Sequence, residues 1–330
     1  YVSFYKNDIT DRLNPKLQQF AEKRYGRKLT PEEISLYHLV SAFASPEATP
    51  EFDSSKGLEV FDKYMKTGDL SGLSDKQATI WALNEKGIKE DTGVPKFTES
   101  GEPVMSKWSK GYADYSLNKF KKVIDYFNGD LSKAIDWAQS IHSYEEISNV
   151  MGTPLTGAKK LEVHENLSKE NGGFGIFGFT GAKLGSYALN RMGEYSTITK
   201  DMWYARTMAR LSGESMFDEK GDAIKRPWAF TAEDVRKRKL ADRAWEDIAK
   251  KKGLSPSDIQ ERMWDYEKRL WEKLGAVESA SYASDGFMKQ AKVFEPDIKF
   301  TEPAPEQKIT SKSQFEEEKP LSLQPKEVQY

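Results

Sequence analysis

Apolar residues recur at three-to-four spacing through most of the chain, and runs that alternate apolar and polar over a useful length do not occur. That period is helical, because positions three and four apart share one helix face. PEEISLYHLVSAFA (31–44) carries start signals as well. Thr30 stands as N-cap, Pro31 occupies the first helical position, and Glu33 follows three residues after the cap, a capping-box arrangement. Further helices are predicted over 54–68, 74–87, 116–129 and 130–141, each ending near a glycine or a polar break. Over 256–275, Pro256 opens the helix, Gly275 closes it, and Ile259, Met263, Tyr266, Leu270 and Leu274 form one stripe. The expected fold class is all-α, built from many short helices, with no internal repeat.

Between these segments, residues 173–185 hold five glycines in GFGIFGFTGAKLG. FGFTG is short enough for a tight hairpin, with Gly178 and Gly181 as positions that tolerate positive φ or close backbone approach. Consecutive amides over Gly178, Phe179, Thr180, Gly181 and Ala182, leading into a helix N-terminus, would suit a phosphate. The glycines follow no strand, and GxxxxGK[ST] is absent, so dinucleotide-fold and P-loop readings fail.

Composition narrows the chemistry. The 330 residues include 38% hydrophobic and 12% aromatic side chains, enough for a sizeable core. The absence of cysteine excludes disulfides, thiolate nucleophiles and cysteine-ligated metal or iron–sulfur sites. His38, His142 and His164 lack ligand spacing, so neither a metal nor another cofactor is expected. The sequence contains no apolar run of membrane-spanning length, and its first residues are too charged for a secretory leader. A cytoplasmic, monomeric protein without membrane contact is expected. Tyr1 in place of methionine suggests a processed chain or a piece of a longer, phage-type multifunctional protein.

The net charge of −2 is unevenly spread. Residues 295–330 carry eight acids, five lysines and five prolines, with few large apolar side chains, and read as a disordered tail following a folded unit over 1–294. Residues 173–213 carry +3 and 236–252 carry +5, basic stretches suited to phosphates or simply to solvent.

FGFTGAKLG (177–185) and KDMWYARTMARLSG (200–213), taken in one frame, resemble the helix-hairpin-helix DNA glycosylase superfamily, the group of endonuclease III and 8-oxoguanine glycosylase. The resemblance puts Lys183 on the nucleophilic lysine, Asp201 on the catalytic aspartate, and Gly185 on the small residue that lets helices pack. Arg206, Arg210, Leu211 and Gly213 fall on or beside the family's R, R, L and G. It covers about 40 of the 330 residues. Phe179 stands where the family has its first hairpin glycine, Gly178 replaces proline, and Met202 and Trp203 replace Thr-His.

What the resemblance implies is a two-lobed glycosylase with AP lyase activity on double-stranded DNA. Lys183 would attack C1′ of a flipped-out nucleotide, and Asp201 would stabilise the cationic character that develops there. The hairpin amides, Arg206 and Arg210 would bind the DNA backbone, while Phe177, Phe179, Trp203 and Tyr204 are candidates for holding the base. The helix over 256–275 would pack beside the N-terminal helices, with the site in the cleft between lobes. The other reading is a non-catalytic nucleic-acid-binding module of a larger protein. Each residue also has a plain structural role available: Asp201 as a helix cap, Lys183 and the arginines as solvated side chains, Trp203 as core.

Overall fold

The computed structural model describes residues 4–45, 49–70, 107–152, 172–213, 232–273 and 282–301. Eleven α-helices run through these residues, and strand is confined to two residue pairs, so the protein is all-α. A π-helical segment, Phe4–Leu13, leads into α1 (Asn14–Tyr25), α2 (Pro31–Phe43) and α3 (Pro50–Thr67). Then come α4 (Lys107–Tyr126), α5 (Leu131–Gln139), β1 (Ile141–His142) and α6 (Tyr144–Met151). After β2 (Gly173–Phe174) follow α7 (Ala182–Arg191), α8 (Met202–Leu211), α9 (Ala232–Lys252), α10 (Pro256–Lys273) and α11 (Ala283–Phe294). No helix among the described residues is long and apolar enough to cross a membrane.

Local signals hold where the partner groups lie close in sequence. The capping box at α2 forms as predicted: the Glu33 amide donates to Thr30 Oγ1 at 3.3 Å, and the Thr30 amide to Glu33 Oε2 at 2.9 Å. The second helix expected, over 54–68, starts earlier, because Thr49 caps it and Pro50 takes its first position. That over 116–129 also starts earlier, at Lys107. Asp130 caps α5, which ends at Gln139, because Ile141 and His142 leave the helix to pair antiparallel with Phe174 and Gly173. The segments 74–87 and 302–330, with Leu274 and His164, lie outside the described residues.

The apolar interior divides into two clusters. The larger gathers the N-terminal segment, α1–α7 and α11 around Phe20, Tyr37, Phe61, Phe120 and Phe287. α3 is its centre, flanked by α2 and α11. The approach of α11 to α3 is so close that a side chain on Gly286 would drive its Cβ into the Glu51 carbonyl oxygen. Asp8 closes the ring by accepting the Ala283 amide at 2.7 Å, a cap supplied from the opposite end of the chain. The smaller cluster joins Ile198, Tyr204, Ala209, Ala241, Trp245, Ala249 and Ile259, from α8, α9 and α10.

Two expectations are corrected here. The stripe on α10 does not face inward as a whole: Tyr266 is 56% exposed, while Gln260, Glu261 and Glu267 are buried. These polar groups are buried because each finds a partner on another element, as described below. The tail boundary also moves. Ile298 and Phe300 pack on the larger core, and the Thr301 amide donates to Gln19 Oε1 at 2.9 Å, so residues 295–301 belong to the folded body.

Candidate functional site

The glycine-rich segment is a hairpin pressed into the larger core. Gly175–Gly178 forms one 3₁₀ turn, after which the amides of Phe179 and Thr180 both donate to the Ile176 carbonyl, at 3.2 and 3.0 Å. Thr180 Oγ1 donates to the same oxygen at 2.8 Å. Neither Gly178 nor Gly181 has positive φ. Gly178 is needed for close approach, since a Cβ there would lie 2.7 Å from Ile147 Cγ2. The expected phosphate cradle over 178–182 is thereby narrowed. Two of its amides are already used, and an anion would meet the start of α7, where Gly181 is exposed and the first-turn amides have no partner within the helix.

Phe179 explains the geometry. Its side chain is 1% exposed and lies among Phe43, Phe120 and Trp137, with ring centroids 6.2, 5.5 and 6.3 Å away. Its backbone, at φ −125° and ψ 0°, makes no demand for glycine. Phe177 is also core, packed beneath α7 so tightly that a Cβ on Gly185 would sit 2.5 Å from its ring. The small residue at 185 is therefore required, as the resemblance implied.

α7 is held by a buried ion pair. Arg191 donates to Asp53 Oδ1 at 3.1 Å and to Ser54 Oγ at 3.0 Å, while the Tyr187 hydroxyl donates to Asp53 Oδ2 at 2.8 Å. Burial raises the Asp53 carboxyl to about 6, against the opposing pull of Arg191 and its hydrogen bonds. Lys183, Tyr187 and Arg191 lie four residues apart on one side of α7, so clamping the last two to α3 sets the direction of the first.

Thr199 organises the approach to α8. Its amide donates to Gln260 Oε1 at 2.6 Å, its carbonyl accepts from Gln260 Nε2, and its hydroxyl meets Asn190 and Tyr5. Lys200 forms a 3.0 Å ion pair with Asp242, which also accepts the Tyr204 hydroxyl. The loop enters α8 at a fixed angle, with Asp201 as the N-cap accepting the Tyr204 amide at 2.8 Å. Asp201 is thus a cap, and Lys183 is among the charges that act on it. Burial raises its carboxyl above the ordinary range, while the Tyr204 amide, Lys183 and then Lys268 pull it down.

The two arginines turn inward. Arg206 is 8% exposed with its guanidinium 4.7 Å from the centre of the Trp203 ring. Arg210 grips the buried carboxylate of Glu267 with two 3.0 Å contacts and lies over Tyr266. Both tie α8 to its own surroundings before any backbone contact with DNA. Of the four aromatic candidates, Phe177, Phe179 and Trp203 are buried, and Tyr204 packs on Trp245 in the smaller cluster. A cavity of about 310 Å³ is walled by Phe174, Phe177, Ile198, Lys200 and Glu246, and neither Lys183 nor Asp201 lines it.

Lys183, at the start of α7, and Asp201, at the start of α8, thus stand on helices that belong to the larger and the smaller cluster. Asp53, Arg191, Gln260 and Lys268 escaped the sequence reading. Their partners come from helices remote in the chain, and only the polar interruptions on α10 hinted at them. No family model, no curated protein and no solved structure matches the chain.

Proposed function

We propose that the protein is a DNA base-excision glycosylase with AP lyase activity, Lys183 being the nucleophile and Asp201 its electrostatic partner. What supports this reading most is the placement of these two residues at the starts of α7 and α8, with Lys183 among the charges that lower the Asp201 carboxyl. They stand 18 apart in the sequence, on two helices that belong to different apolar clusters, and their charges act on one another. A surface lysine and an ordinary helix cap have no need of that arrangement.

In the reaction, the neutral Lys183 amine attacks C1′ and the base departs with the electrons of the glycosidic bond, taking up a proton. The amine loses its own proton, the sugar ring opens, and a Schiff base forms. Loss of a C2′ proton then expels the 3′ phosphate by β-elimination. Asp201, as a carboxylate, stabilises the positive charge that builds at C1′. Its low exposure strengthens that effect, since solvent screens it less. DNA is held chiefly by the start of α7 rather than by the whole hairpin, given the inward amides of Phe179 and Thr180.

Borohydride reduction in the presence of DNA carrying abasic or damaged sites tests the reading. A covalent protein–DNA adduct is expected, abolished in Lys183→Ala and slowed in Asp201→Asn, with both variants retaining the helical circular dichroism of the parent. Salt-sensitive DNA retention without an adduct would leave the non-catalytic binding module in its place.

A further inference from the structure

The cavity of about 310 Å³ takes its walls from both apolar clusters. Phe174 and Phe177 reach it from the larger one and Ile198 from the smaller. Ile141 of β1 lines it as well and is 67% exposed, which puts this side chain at the mouth. Next to the Ile198 wall the chain is held by hydrogen bonds: the Thr199 amide donates to Gln260, and the Tyr5 amide donates to Glu261, the following residue of α10, at 2.8 Å. Sites for small molecules share this construction, with mostly apolar walls, a place between packed units and a small number of polar groups.

The charged groups in the lining are Lys200, Asp242 and Glu246. The Lys200 side chain is only 7% exposed and pairs with Asp242 at 3.0 Å, and the same carboxylate accepts the Tyr204 hydroxyl at 2.8 Å. Charge there is balanced and held in place. Glu246 lies one turn further along α9, exposed, and no described residue pairs with it. The lining therefore carries one negative charge in excess, on a group that can only accept hydrogen bonds. An anion entering the cavity would meet a cation already paired and a carboxylate that repels it.

We propose that this cavity binds a small organic cation, an amine or guanidinium carried on an apolar or aromatic body. The body fills the space between Ile141, Phe174, Phe177 and Ile198. The cationic head stays at the mouth against Glu246, where neither charge has to leave water. The volume is at the lower end for ligand pockets and limits the body to a single ring with a short chain. Because neither Lys183 nor Asp201 lines the cavity, the site goes beyond the proposed function and stands or falls without it.

The probe is phenethylamine, titrated into the isotope-labelled full chain and followed through the backbone amide shifts of Gly173, Ile198 and Glu246. Phenethyl alcohol is its neutral match and phenylacetate its anionic one. The amine is expected to bind most tightly and phenylacetate least. Glu246→Gln should weaken the amine by about fivefold, the upper range for an exposed charge pair, and leave the alcohol unchanged. Ile141→Ser, which alters an exposed side chain, should weaken the amine and the alcohol alike. The thermal midpoint of the parent should rise with added phenethylamine, and by less in Glu246→Gln, since a ligand that binds only the native state stabilises it. N-acetyl-arginine amide presents the cation on a peptide-type stem: tighter binding than phenethylamine assigns the site to a basic side chain of a protein, weaker binding to a small amine, and either supports a cation site. Equal affinities for amine, alcohol and phenylacetate would overturn the proposal. So would an amine affinity that ignores Glu246→Gln, or amide shifts confined to residues away from the cavity.

Discussion

Replacing Phe179 by alanine separates a core anchor from a hairpin residue that waits for DNA. The side chain is almost wholly buried and its ring touches three aromatic neighbours, with Trp137 stacked at 22° and Phe43 edge-on at 85°. Truncation removes the transfer free energy of the ring and leaves a void lined by other rings, which relax little. Phenylalanine-to-alanine changes of this kind cost about 3–5 kcal/mol. Set against the roughly 5–15 kcal/mol that keeps a typical native protein folded, the variant should lose a large share of its stability. Phe179→Leu retains most of the buried area and should cost only about 1–1.5 kcal/mol. Urea unfolding followed by circular dichroism and by tryptophan fluorescence measures both, Trp137 reporting on the site itself. A loss under about 1.5 kcal/mol for alanine, the upper cost of a well-tolerated swap, would refute the packing argument. So would a folded Phe179→Gly protein that binds DNA more tightly than the parent.

Two more outcomes follow from the packing of α7 on the hairpin and on α3. Gly185→Ala forces a Cβ against Phe177 and Thr180 Oγ1, and overpacking of this kind should cost about 1–3 kcal/mol, read as a lowered thermal midpoint. Asp53, held at about 6 when folded against an ordinary 3.8, binds its proton more tightly in the native state. Its contribution to stability therefore grows as pH falls from above 6 toward 4 and shrinks as pH rises through 6. Asp53→Asn removes that slope, so the difference in urea midpoint between parent and variant should change across this window. A constant difference from pH 4 to 7 would show that the raised carboxyl is absent.

Local order was legible residue by residue. Thr30, Pro31 and Glu33 predict the start of α2 because the groups that satisfy its first amides lie within four residues of one another. Pro256 marks the start of α10 for the same reason, but its inward face was misread. Tyr266 belongs to the apolar stripe of α10 yet is 56% exposed, while the charged Glu267 beside it is buried. Their exposures are reversed, because Arg210 and Thr207 reach Glu267 from α8 and make its burial tolerable. The tail boundary failed similarly. Ile298 and Phe300 are isolated apolar residues in a charged stretch, and only the presence of α1 and α11 beneath them gives them a surface to cover.

The spacing in the chain determined by itself that the protein is helical, where α2 and α10 begin, and that Lys183 and Asp201 stand 18 residues apart in a motif-like frame. These are properties of neighbouring residues, carried by 3.6-residue periodicity and by caps. Tertiary structure decided what those residues face. It turned Phe179 and the amides around it inward, committed Arg210 to Glu267, clamped α7 through Asp53 and Arg191, and set Lys268 over the Trp203 ring from a helix far along the chain. Each of these depends on desolvation and on a partner's position in space, and both arise only when helices remote in the chain pack against one another.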